Sequence, residues 1–151
     1  MPGQPDSYDY VVVGAGTAGC AVSTRLSADS DRSVLVLEAG EPDHDRSIHV
    51  PAEVGNLFKS SVDWEYYTEP QAEMHDRELY WPRGKTLGGS SSINAMIHIR
   101  GHPGDFDEWA EMGNDGWSYE ELLPYFKRSE NCRARRTAYH GVGGPLNVTE
   151  L

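Results

Sequence analysis

The sequence predicts an α/β fold built around a βαβ unit, and three observations carry that prediction. A short apolar run from Tyr10 to Val13 ends in a glycine turn. The segment "TAGCAVSTRLSAD" follows it with helical spacing of apolar residues, and a second apolar run, "SVLVLEAG" from Ser33 to Gly40, closes the unit. Two such strands joined through a helix are parallel, and the crossover is right-handed.

Each element has a local reason. Tyr10 to Val13 shows no polar alternation, the pattern of a strand covered on both faces. In the helix, Ala18, Ala21, Val22 and Leu26 form the expected packed face, and Cys20 is small enough for a buried helix position. From Glu41 to Tyr80, Pro, Gly, aromatics and acids mix without period, which predicts irregular connecting structure with one short helix starting at Pro51 and running through "AEVGNLF". After the Gly88–Ser92 run, "INAM" is expected to begin another short helix. Pro103 starts a helix with Phe106, Trp109 and Ala110 on one face and a stop at Gly113. Ser118 and Glu121 have capping-box spacing for the next helix, which Pro124 is expected to divide into two pieces. "GPLNVTE" reads as a last strand, and the chain has no internal repeat or low-complexity tract.

At 151 residues the chain suits one modest domain, residues 1–151, rather than two. Thirteen basic residues against 24 acidic give a net charge of −11, which argues against nucleic acid as a partner. The start, "MPGQPDSYDY", lacks the basic and apolar regions of a signal peptide, so a cytoplasmic location is expected. Gly14, Gly16 and Gly19 interrupt the most apolar stretch, so no membrane span is expected. Cys20 and Cys132 are isolated and suggest neither a disulfide framework nor a metal site.

The chemistry begins with Gly14-x-Gly16-x-x-Gly19, which follows a predicted strand, opens a predicted helix and has Glu38 at the end of the next strand. In that setting the glycines have separate tasks: Gly14 for a tight turn, Gly16 for backbone approach to a pyrophosphate, Gly19 for close helix–strand packing. Glu38 stands where an acid would bind a ribose, although a solvated strand-end acid reads the same way. A Rossmann-like dinucleotide site follows. The fingerprint alone does not choose between NAD and FAD. The second glycine-rich stretch, Gly88-Gly89 followed by Ser90, Ser91 and Ser92, adds another wall of bare backbone and hydroxyls, which suggests the larger cofactor.

Other features have simpler readings. Gly84-Lys85-Thr86 resembles the end of a P-loop, but Leu79 occupies the position of the required upstream glycine. His98 and His102 have four-residue spacing, yet Gly101 and Pro103 oppose a continuous helix there, and His44, His49, His75 and His140 have no evident partner in sequence. "CRARR", with Arg133, Arg135 and Arg136, reads as a solvated basic island, and the four tryptophans, Trp64, Trp81, Trp109 and Trp117, as packing residues.

"WPRGKTLGGSSSINAMIHIRG" resembles the first signature of the glucose–methanol–choline (GMC) oxidoreductase family, and "VVVGAGTAGC", "VLVLEAG", "DWEYYTEPQ", "GHPGDFDEWAEMGNDGWSYEELLPYFKRSE" and "HGVGGPLNV" support it in the family's order. The likeness is greatest to the choline dehydrogenase and alcohol dehydrogenase branch. It implies FAD, its ADP half over Gly14, Gly16, Thr17, Ala18, Gly19 and Glu38, with Thr86, Gly88, Gly89, Ser90, Asn94, Ala95, Met96 and Ile97 near the pyrophosphate and isoalloxazine. Arg83 and Lys85 either add positive potential there or face solvent. Some members attach the flavin to a His at the position of Ile93; Ile has no nucleophilic atom, so non-covalent FAD is expected.

The reaction implied is oxidation of a small-molecule alcohol, a base taking the hydroxyl proton while hydride goes to the flavin. The family's catalytic His lies far toward the C-terminus, so no catalytic residue is assigned within this chain. The resemblance implies an incomplete FAD-binding domain, expected to be inactive alone and unstable at its open sheet edge: a truncated product, an interrupted gene, or one half of a split enzyme completed by a complementary chain. A noncatalytic nucleotide-binding module is the alternative.

Overall fold

A computed structural model describes residues 7–135 and 137–149 of the chain. The first six residues, used above to argue against a signal peptide, and Arg136 of the basic island lie outside the described residues. The chain forms two compact units, Met1–Ile97 and His98–Leu151.

The first unit contains the βαβ unit: β1 (Tyr10–Val13), α1 (Thr17–Leu26) and β2 (Val34–Leu37). The strands are parallel, with Tyr10 opposite Val34 and Val13 opposite Leu37. Asp9 ties the start of the pair together by accepting from the Ser33 amide and hydroxyl, each at 2.8 Å. The helix turns a different stripe inward from the one expected. Gly19, Cys20, Ser23 and Leu26 are half-buried, while Ala18, Ala21 and Val22 are exposed. The reason is Gly19, where a Cβ would overlap the Gly14 carbonyl oxygen and touch Val12, so the helix lies against the strand along that residue. Val11 and Val13 are 55% and 84% exposed, and a two-stranded parallel sheet leaves such surface uncovered.

Residues 41–80 are mostly irregular, with short 3-10 turns at Arg46–His49, Pro51–Asn56 and Ala72–Met74. The expected helix at Pro51 is thus a 3-10 turn. Not foreseen was an antiparallel ladder of β3 (Tyr66–Tyr67) on β4 (Tyr80–Trp81), extended by an Asp63–Gly84 bridge. Two-residue strands carry too little periodicity to be read. Leu57, Val62 and Ile93 form the buried apolar cluster, with Ile48 packed on it.

The short helix expected at "INAM" occurs earlier, as a 3-10 turn at Gly89–Ser92. Ile93 is drawn into the core, and the Asn94 side chain accepts from the Met96 amide at 2.7 Å, a local turn that competes with helix.

In the second unit, α2 (Pro103–Glu111) and α3 (Tyr119–Ser129) are each opened by a capping box, from His102 with Asp105 and from Ser118 with Glu121. Pro124 does not divide α3. It forfeits one hydrogen bond, to the Glu120 carbonyl, and the helix is held on either side of it by the cap and by Tyr119 and Phe126, whose rings pack with Phe106. The chain then forms β5 (Glu130–Cys132), which pairs in parallel with β6 (Leu146–Val148), the last strand read from sequence. Among the described residues no helix is long and apolar enough to cross a membrane.

Candidate functional site

A cleft of about 580 Å³ opens where α1 begins, between the end of β2 and the segment carrying Arg83 and Gly84. Gly14, Gly16, Thr17, Ala18, Gly19, Glu38, Gly89 and Ser90 all line it. Gly14 adopts φ +94, the left-handed turn that ends β1. Gly16 caps α1 without a side chain, so the first amides of the helix keep the free donor character common to helix N-termini. A Cβ on Gly16 would touch only the Gly89 Cα, at 3.9 Å, so its bare face belongs to the cleft.

The second glycine stretch is bonded directly to the first. The Gly88 amide donates to the Ala15 carbonyl at 2.8 Å, and Gly16 and Gly88 form a parallel bridge. A Cβ on Gly89 would stand 2.7 Å from the Gly16 Cα, and one on Gly84 would overlap the Gly89 carbonyl. Bare backbone here serves chain-on-chain packing: three segments meet main chain to main chain. Thr86 is fully buried behind this junction and donates to the Glu41 carbonyl at 2.9 Å.

Glu38 holds the same junction. Its Oε2 accepts from the Ala15 amide at 2.7 Å and its Oε1 from the Gly40 amide at 2.9 Å. The carboxylate therefore fixes the glycine turn while presenting itself to the cleft.

Sequence assigns no binding role to six of the lining residues, Val13, Leu37, Ala39, Trp64, Tyr66 and Gly84; Arg83, open between two readings, also lies in the lining. Trp64 and Tyr66 stack with ring centroids 5.6 Å apart and an interplanar angle of 15°. The Lys85 ammonium lies 4.7 Å from the Trp64 ring centroid, and the Arg83 guanidinium 5.3 Å from that of Trp81. Trp64 is thus part of the cleft wall, where composition had suggested packing alone; the alternation of Trp64 and Tyr66 on one face of an extended segment was the available signal.

Asn94, Ala95, Met96 and Ile97 stand away from this cleft. Asn94 and Met96 line a separate notch of about 40 Å³ with Ser91 and Ser92, and Ile97 is 77% exposed.

The second unit holds a cluster that sequence reading missed. His140 does have a carboxylate partner: its Nδ1 lies 2.8 Å from Glu130 Oε1. Glu130 is fully buried and also accepts from the Arg100 guanidinium and the Gly141 amide. Burial would raise its pKa, but the bonds from His140 and Gly141 and the Arg100 charge outweigh it and hold the carboxyl below its ordinary value. Cys132 offers a thiol within 4.8 Å of these groups. Because Arg100 already supplies the cationic charge to Glu130, the cluster reads as a structural tie between β5 and the loop at 139–141.

A parallel βαβ unit, a glycine turn at its helix start, an acid closing its second strand and a second glycine loop bonded to the first make up a Rossmann-like α/β fold. The chain belongs to the GMC oxidoreductase family, whose model matches residues 8–151. It is 47% identical over 146 residues to an alcohol dehydrogenase [acceptor] of Pseudomonas putida, covering 95% of this chain and 26% of that protein. It is 48% identical over 142 residues to an oxygen-dependent choline dehydrogenase of Vibrio vulnificus, covering 93% and 25%. Among solved structures, pyridoxine 4-oxidase from Mesorbium loti matches with a TM-score of 0.86 and 44% identity, over 93% of this chain and 28% of that one. Formate oxidase of Aspergillus oryzae, described with its FAD, matches with a TM-score of 0.82 and 35% identity over 96% and 27%. The chain thus spans about a quarter of the length of the relatives it matches.

Proposed function

We propose that this chain is the FAD-holding portion of an oxidoreductase acting on the CH–OH group of a small alcohol of the choline class. The observation that carries the reading is the direct bond between two glycine loops at the start of α1, which puts bare backbone of both loops on one cleft. The fit of the residues to the group is good: Gly16 leaves its cleft face bare, α1 directs its N-terminus there, and Glu38 is in reach of a ribose. Thr17 and Ala18 would donate to the pyrophosphate. Bound FAD would supply the acceptor for the hydride that leaves an alcohol carbon. Thr86, Gly88, Asn94, Ala95, Met96 and Ile97 belong to this proposal through family resemblance alone.

Ile93, which is 2% exposed and packed with Leu57 and Val62, has no nucleophilic atom and supports the reading of non-covalent binding. Among the described residues the cleft lining contains no histidine, and these residues are proposed to hold the cofactor while a base elsewhere takes the hydroxyl proton. The chain alone is therefore proposed to bind FAD without turning over alcohol. The test is to titrate the purified chain with FAD, record the visible spectrum, and add choline without oxygen. A bound, yellow, unbleached complex supports the reading; no FAD uptake defeats it. Bleaching by choline would assign catalysis to this chain itself.

A further inference from the structure

We propose that Asp63 is a positioning residue for the dinucleotide cleft, holding the wall that carries Trp64 and Arg83 against the glycine loops. The proposal rests on the reading of the cleft as an FAD site. Asp63 sits inside the ladder that joins residues 62–67 to 80–85, at the point where Pro82 contributes no amide and Glu65 takes φ +51. Such a break leaves main-chain amides without ladder acceptors. Asp63 Oδ1 takes two of them, from Glu65 and from Arg83, each at 3.1 Å. Its Oδ2 accepts from the Lys59 amide at 2.9 Å and from the Tyr80 hydroxyl.

The carboxylate is only 6% exposed, yet every donor around it belongs to the wall or its base. Trp64 is its chain neighbour and donates its amide to the Arg83 carbonyl at 2.9 Å. Gly84, next along, packs without a side chain on the Gly89 carbonyl, and Gly89 packs on Gly16. An unbroken main-chain path therefore runs from Asp63 to the helix start that would receive the pyrophosphate. Asp63 touches no cleft volume itself and acts only through these neighbours.

The experiment is a double-mutant cycle on the full chain with FAD as the probe, read by quenching of flavin fluorescence. Asp63→Asn removes acceptor capacity at nearly constant shape. In the wild-type background it is expected to weaken FAD binding about tenfold, the effect of leaving one or two buried amides unpaired. In a Trp64→Ala/Arg83→Ala background, which lacks the wall side chains, the same change is expected to cost less than about twofold. A residue that merely stabilises the fold would weaken binding equally in both backgrounds. Tyr80→Phe, which deletes one donor and leaves the three amides bonded, carries the same comparison should Asp63→Asn not fold, with a loss of about threefold expected. Equal losses in the two backgrounds, or no loss in the wild-type background, overturn the proposal. Wild-type chain that takes up no FAD overturns the cleft reading first and the proposal with it.

Discussion

The Gly88 amide and the Ala15 carbonyl are bonded at 2.8 Å, which makes the two glycine loops one backbone assembly. Sequence separates them by more than 70 residues, and this bond ties them across that distance. Glu38 clamps Ala15 from one side, and Gly89 presses on Gly16 from the other. The cleft is therefore organised by contacts within the chain itself, and walls fixed in this way lower the ordering cost of binding a ligand.

Two glycine substitutions separate packing from binding. Gly89→Ala places a Cβ 2.7 Å from the Gly16 Cα at φ +55, so it is expected to destabilise the first unit by about 2 kcal/mol and to weaken FAD as well. Gly16→Ala meets nothing closer than 3.9 Å at an ordinary φ of −77, so thermal unfolding is expected to stay near wild type. Its methyl group enters the cleft where the pyrophosphate is proposed to lie, and FAD affinity is expected to fall tenfold or more. Thermal unfolding and FAD titration on both variants check the contrast.

The βαβ unit was legible because its signals are local: two apolar runs, a glycine turn and a helix of the right length. The inward face of α1 was not, because it is set by one glycine's contact with a carbonyl rather than by the distribution of apolar residues. The glycine-loop half of the cleft could be read for the same reason as the strands, since glycine spacing states what the backbone must do. The Trp64–Arg83 wall and the Glu130–His140 tie depend on partners 19 and 10 residues apart in irregular chain, where no period links them.

Glu38→Gln tests the clamp. A glutamine has one oxygen to offer where the carboxylate has two, so either the Ala15 or the Gly40 amide loses its acceptor. Leaving one such amide unpaired costs about 1–3 kcal/mol, and lower stability is expected together with weaker FAD. Asp in place of Glu is expected to fail similarly, because it is too short to span both amides. Denaturant unfolding with and without FAD measures both effects.

Pro124 gives a prediction of opposite sign. It is exposed in the interior of α3 and leaves the Glu120 carbonyl without its helical donor. An alanine restores that bond and the helical preference, a gain of up to about 3 kcal/mol, less about 0.4–1 kcal/mol for the greater freedom of the unfolded chain. Pro124→Ala is expected to raise the unfolding midpoint of the second unit, followed by circular dichroism of its helices.

The buried Glu130 sets how that unit responds to acid. Its pKa lies below the ordinary 4.5 in the folded chain, because His140, Gly141 and Arg100 favour the carboxylate more than burial disfavours it. The unfolded chain then binds more protons in the interval between the two values, so stability rises with pH there. The contribution is complete above 4.5 and is lost as pH falls through the lower, folded value. Asp63, held below its ordinary 3.8, adds a loss of the same sign in the first unit as pH falls below 3.8. Glu130→Gln removes one partner of a nearly buried ion pair, and at neutral pH it is expected to cost about 3–5 kcal/mol. The gap between wild type and variant should narrow steadily below pH 4.5, because acid protonates the wild-type carboxylate and leaves the amide unchanged. Denaturant unfolding of both proteins at a series of pH values measures that gap, and a gap independent of pH would assign Glu130 no part in acid stability.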